Sequence, residues 1–172
     1  TSASYTFSQT DYGQNGTRLR WMASNSGGSV TSVTVTLTVN IALGSNYLGG
    51  KVISLSFDGS TPHGLIGATV DQSRGVTTTP AQRAQLCANY GPGYRLPADT
   101  TELRLVKLAK DTGILDGFIS PQNAPYGDYI SSMANVFQGQ PIVLVLALNL
   151  GYELFGWVPE QTFLNVRAVR TF

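Results

Sequence analysis

The sequence predicts an α+β chain in which two short helices flank a largely antiparallel sheet, with a β-rich N-terminal extension. Three observations carry that expectation. Thr79-Pro80-Ala81-Gln82 opens one helix and Asp99-Thr100-Thr101-Glu102 another: each sets a capping side chain before the first turn and Gln or Glu three residues on. Val33, Val35, Leu37, Val39 and Ile41 alternate with Thr34, Thr36, Thr38 and Asn40, the period of a strand with one wet face. Pro141 to Leu148 is apolar throughout, as expected of a strand buried on both sides at the centre of the fold.

Taken in order, Arg18 to Met22 reads as a strand, separated by Asn25-Ser26-Gly27-Gly28-Ser29 from the alternating 33–41 segment, which suggests a hairpin with a loop of several residues. Lys51 to Phe57 is a third strand, and Asp58-Gly59-Ser60-Thr61-Pro62 a turn or short linker. Residues 1–59 are therefore a β-rich segment, either an extension of the domain formed by 60–172 or a small β subdomain. The extension is favoured, because a few strands with few large residues have little core of their own.

The first helix is expected near 80–90, stopped by Gly91, with Cys87 beside Ala84 and Ala88 as a small buried apolar residue. Leu103, Val106 and Ala109 recur at helical spacing along the second, near 100–112, until Gly113. Gly117 to Tyr129, with Pro121, Pro125 and Gly127, reads as a long irregular loop of the kind that is usually functional or mobile. Gly151 to Trp157 is a turn leading into a final strand pair with Gln161 to Val166.

The run Gly93-Tyr94-Arg95-Leu96-Pro97, followed by Glu102-Leu103, resembles the G-[WY]-R-L-P signature of C-type-lectin-like domains in bacterial surface proteins. The intimin/invasin class of adhesins and the formylglycine-generating-enzyme-like families carry versions of it. Asp128-Tyr129-Ile130-Ser131-Ser132 and the closing Val166-Arg167-Ala168-Val169-Arg170 resemble two further elements of such domains, in the same order. The resemblance covers roughly residues 60–172 and implies a C-type-lectin-like fold. It also implies that Arg95 is structural, its guanidinium tying backbone carbonyls or a carboxylate together.

Charged residues are only 12% of the chain, about half the usual share, and Gly, Ser, Thr and Asn take their place, a composition associated with exported bacterial proteins. The start at Thr1 reads as processed or excised from something longer. A net charge of +1 offers no electrostatic case for nucleic acid or an anionic membrane. The longest apolar run, Ile142 to Leu150, contains Asn149 and spans about half of a bilayer-crossing helix, so no membrane insertion is expected.

The residue set argues against catalysis. His63 is the only histidine and reads as a solvated loop residue; neither a serine-hydrolase nor a cysteine-protease signature accompanies it. One Cys and one His make a zinc site improbable, and the oxidase chemistry of the formylglycine-generating relatives needs a cysteine pair that this chain lacks. The calcium tripeptides of sugar-binding C-type lectins are missing: Pro121-Gln122-Asn123-Ala124-Pro125 is a loose echo, no W-N-D occurs, and Asp111, Asp116 and Asp128 read as solvated or capping carboxylates. No cofactor or metal is expected.

Surface recognition is the reading left. In domains of this class the partner surface is commonly built from loops after the second helix and between the late strands, which here hold Asn123, Tyr126, Asp128, Tyr129, Tyr152, Glu153, Phe155 and Trp157. Tyr and Trp bury large area at low entropic cost, and their opposing role is to fill the domain's own core. The expected function is a non-catalytic adhesion domain on the bacterial cell surface, part of a longer exported protein, recognising a protein or glycan receptor on a host or neighbouring cell. The alternatives are the tip of a phage tail fibre or pilus, assembled through the first sixty residues, and an enzyme-accessory lectin-like domain.

Overall fold

The computed structural model describes residue 6 and residues 12–76, 79–118, 128–148, 152–160 and 164–172. It is a mixed α+β structure with two helices and mostly antiparallel sheets, and the chain divides into two units, Thr1–Ile41 and Ala42–Phe172. No helix among the described residues is long and apolar enough to cross a membrane.

The first unit contains β1 (Arg18–Leu19), β2 (Met22–Asn25), β3 (Gly28–Thr31) and β4 (Val35–Thr36). Two expectations are corrected here. The hairpin joins β2 to β3 rather than residues 18–22 to 33–41, because the Asn25 Oδ1 accepts the Gly27 N–H at 2.8 Å and closes a tight turn inside the expected loop. Gly28, at φ +133, takes a backbone conformation that L side chains rarely adopt. The alternating 33–41 segment contributes only Val35–Thr36 to a strand, paired with β1. Beyond it Leu37 still exchanges hydrogen bonds with Gly16 and Thr17, but the Asn15 side chain captures the Val39 N–H and the ladder stops.

The second unit contains β5 (Asn46–Tyr47), β6 (Gly50–Asp58), β7 (Thr61–Gly67), β8 (Ser73–Val76), α1 (Pro80–Tyr90), α2 (Thr100–Asp111), β9 (Asp128–Phe137), β10 (Gln140–Ala147), β11 (Phe155–Pro159), β12 (Leu164–Val166) and β13 (Val169–Thr171). They form a four-stranded sheet in the order β13-β7-β6-β5 and a five-stranded sheet in the order β11-β10-β9-β12-β8. Asp58 pairs with Thr61 across Gly59-Ser60, with Gly59 at φ +59, so this stretch is a tight hairpin turn.

Both helices start where their caps require. Thr79 accepts the Gln82 N–H while Gln82 accepts the Thr79 N–H, a complete capping box. Asp99 Oδ1 accepts the N–H groups of Thr101 and Glu102 at 2.8 and 3.0 Å. Glu102 departs from a capping box: its carboxylate turns instead to the Ala98 N–H at 2.7 Å and to Arg95.

Strand β10 is buried on both faces, as its continuous apolar run requires. Leu144 and Leu146 pack into one core with Leu103, Val106 and Ala109 of α2. Val143 and Val145 pack into another with Cys87 of α1, Ile130 and Val166. The expected final strand pair does not form: β11 pairs with β10, while β12 pairs antiparallel with β8 and meets β9 in parallel at Asn165 and Tyr129. The closing segment is likewise two strands rather than one. The chain leaves the five-stranded sheet after Val166 and enters the four-stranded one at Val169, and Arg167 sits at that crossing with its side chain fully buried.

Candidate functional site

The Gly93-to-Pro97 segment joins the two sheets. Arg95 exchanges backbone hydrogen bonds with Val169 of β13, both at 2.8 Å, while the Pro97 carbonyl accepts the Ser132 N–H of β9 at 2.7 Å. Tyr94 is buried, its hydroxyl donating to the Leu48 carbonyl and its ring meeting Tyr90 edge-on at 4.7 Å. The Arg95 guanidinium donates to the Leu96 carbonyl and grips Glu102 at two points, which locks the segment to the first turn of α2. This is the backbone-and-carboxylate tie expected of Arg95.

A buried polar knot holds the crossing between β12 and β13. Arg167 Nε donates to Asp71 Oδ1 at 2.7 Å, and its Nη atoms donate to the carbonyls of Ala68 and Asp116 at 2.9 and 3.1 Å. Asp71 Oδ2 accepts the Tyr129 hydroxyl at 2.7 Å, and Phe118 lies 3.9 Å beneath the guanidinium. Tyr129, named from the sequence as a contact residue, is therefore a core side chain: it is buried, hydrogen-bonded inward and packed edge-on against Phe118.

The remaining described candidates separate by exposure. Tyr152 and Trp157 are 64% and 44% exposed, whereas Phe155 is half-buried and packs against the α2 core. Glu153 reaches α2, accepting from Arg104 Nε at 2.7 Å, and the same guanidinium lies 5.0 Å over the Phe155 ring. Both partners of this ion pair are solvent-exposed, so it fixes side-chain placement more than it stabilises the fold. Asp128 is half-buried at the start of β9, and burial raises its carboxyl above the ordinary aspartate range. Asn123 and Tyr126 lie outside the described residues.

Strand register relates these positions. Tyr129, Leu146 and Phe155 stand in one row across β9, β10 and β11, and in the next row Asp128 lies opposite Ala147, whose N–H donates to the Leu154 carbonyl. The loop that ends at Asp128 and the turn that ends at Leu154 thus open at the same end of the sheet.

Three residues that belong with this corner are absent from the sequence-derived set: Arg104, Leu108 and Leu154. Arg104 and Leu108 stand four apart on α2, off the Leu103-Val106-Ala109 stripe, and Leu108 and Leu154 are 57% and 47% exposed. The helical wheel carried that signal, since a Leu outside the core stripe faces solvent or a partner. The corner offers aromatic and apolar area around one oriented ion pair, which suits contact rather than proton transfer. Among the described residues no three His, Cys, Asp or Glu side chains gather to hold a metal ion. The chain matches no known family model and no curated protein sequence.

Proposed function

We propose that this chain is a non-catalytic receptor-binding domain with a C-type-lectin-like fold, carried on the surface of a bacterium as part of a longer exported protein of the intimin/invasin kind. The observation that carries the reading is the α2–β11 corner, where Tyr152, Leu154, Trp157 and Leu108 are exposed around the Arg104–Glu153 pair. Exposed Tyr and Trp on a rigid sheet end anchor contacts with protein or glycan receptors alike. The low charge and the sheet-joining G-Y-R-L-P segment are further support.

Binding of the chain to a panel of host cells and to a glycan array tests this. Replacing Tyr152 and Trp157 together by Ala should weaken attachment by roughly 1 to 4 kcal/mol with the circular dichroism spectrum unchanged. Undiminished attachment by a folded double variant places the contact elsewhere. A second reading, the assembling tip of a fibre or pilus, is favoured by one observation: Trp21, Met22, Val30, Val33 and Val35 are all exposed in the first unit, and none of its described residues is buried. A concentration-dependent oligomer dispersed by Met22→Ser with Val30→Ser would favour that reading.

A further inference from the structure

The β11 edge presents a peptide-binding backbone, and this deepens the receptor-binding reading on which it rests. Strand β11 is the outer strand of its sheet, paired only with β10 among the described residues. The Ala147 N–H donates to Leu154 and the Glu160 N–H to Pro141, at the two ends of the β10–β11 ladder. With the register Val145–Gly156 and Val143–Val158 between them, the alternation of an antiparallel pair assigns Gly156 and Val158 to bonds with β10. Phe155 and Trp157 fall at the intervening positions, so each aims its N–H and C=O away from the sheet. Next along the strand comes Pro159, whose ring supplies no N–H, so the open donor run ends there.

Edges of this kind are usually blunted by charge, bulges or a covering element. From Phe155 to Val158 β11 carries no charged side chain, its register with β10 is unbroken, and Trp157 is exposed. Outward N–H and C=O groups at every second residue recognise one chemistry above others, an extended polypeptide backbone. A glycan would instead need convergent polar side chains, and here the charged pair, Arg104 and Glu153, is already engaged with itself. We infer that β11 is a strand-addition site: an extended segment of a partner protein adds beside Phe155 and Trp157 as a further strand, with alternate side chains lying against Trp157.

The test uses the whole chain and synthetic peptides selected on it from a random displayed library. Each selected peptide is remade with single backbone N-methyl groups and its affinity measured by calorimetry. N-methylation at alternate residues should weaken binding roughly tenfold, with the intervening residues tolerant, because only every second N–H faces β11. Trp157→Pro, which removes an N–H that β10 does not use, should abolish binding, whereas Trp157→Val should weaken it and keep the alternation. No alternation in the N-methyl scan overturns the proposal, and so does a dimer of the chain that Trp157→Pro dissolves, which would mean that β11 pairs with its own copy. Cell attachment separates this failure from that of the receptor-binding reading. Equal loss of attachment with Trp157→Val and Trp157→Pro, without alternation, sinks strand addition and leaves the contact surface standing; attachment unchanged in both removes the surface as well.

Discussion

Arg95 and Glu102 face each other in a two-point ion pair, Nη1 to Oε2 at 2.6 Å and Nη2 to Oε1 at 2.7 Å. The pair closes a loop that begins on the four-stranded sheet, through the Arg95–Val169 bridge, and ends on the N-terminal turn of α2. Glu102 spends its capping-box geometry on this clasp, so helix start and sheet junction depend on one carboxylate.

Replacing Glu102 by Gln should cost about 1 to 2 kcal/mol in denaturant unfolding, at the low end for a charged hydrogen-bonded pair because the Arg95 side chain is 41% exposed. Arg95→Lys should cost a similar amount, since an ammonium cannot reproduce the two-point contact. The same pair sets the acid limb. Burial raises the Glu102 carboxyl, but the Arg95 hydrogen bond, the Ala98 N–H and the Arg95 charge together outweigh it and the pKa falls. A depressed folded-state value means that the contribution is full above the unfolded glutamate value of about 4.3 and is lost as pH falls through the folded value. Stability measured between pH 6 and 2 should therefore drop below about pH 4, and Glu102→Gln should flatten that drop.

Asp71 and Arg167 are fully buried as an ion pair, so removing one partner strands the other. Asp71→Ala should destabilise the chain by about 3 to 5 kcal/mol, while Tyr129→Phe, which removes one hydroxyl from Asp71 Oδ2, should cost about 1 to 3 kcal/mol. Thermal melts of the two variants check the ranking; a milder effect of Asp71→Ala than of Tyr129→Phe would contradict the account of the knot.

Gly50 has no room for a side chain. A Cβ there would meet the Gly67 carbonyl oxygen, the Tyr94 hydroxyl and Ile66 Cγ2 together. Gly50→Ala should lower stability by about 1 to 3 kcal/mol through overpacking, and Tyr94→Phe in the same chain should recover part of the loss. Equal stability of the single and double variants would show that the carbonyl alone governs the clash.

Burial pushes the Cys87 thiol up to about 12. Native protein at pH 8 should react with a thiol-specific disulfide reagent orders of magnitude more slowly than protein in urea, about 100-fold or more. Here the folded value is raised, so the sign reverses from that of Glu102: the contribution is full below the unfolded thiol value of about 8.5 and is lost as pH rises toward the folded one. Tyr94, raised to about 12 by burial and then by Tyr90, adds to the same alkaline loss. A native rate close to the denatured one would place the Cys87 side chain at the surface.

The elements whose cause is local were legible in the sequence. Thr79-Pro80-x-Gln82 and Asp99 satisfy orphan N–H groups within a few residues of themselves, so α1 and α2 begin where those side chains stand. The unbroken apolar run of β10 required cover on both faces, and it has it. Arg95 was readable as a tie because its partner lies one turn into the next helix. What tertiary structure alone decided is every pairing over long separation. The Val33-to-Ile41 alternation specifies a face but not a neighbour, and the Asn25 turn gave β2 a nearer partner in β3. Tyr129 reads as a loop aromatic until Asp71 and Arg167, distant in sequence, accept its hydroxyl and enclose its ring. Arg104 joined Glu153 only when β11 was laid beside β10 and α2 packed across the sheet. Periodicity and caps report which side of an element is apolar and where it starts; which element it meets depends on the summed packing of the whole chain, which no local window contains.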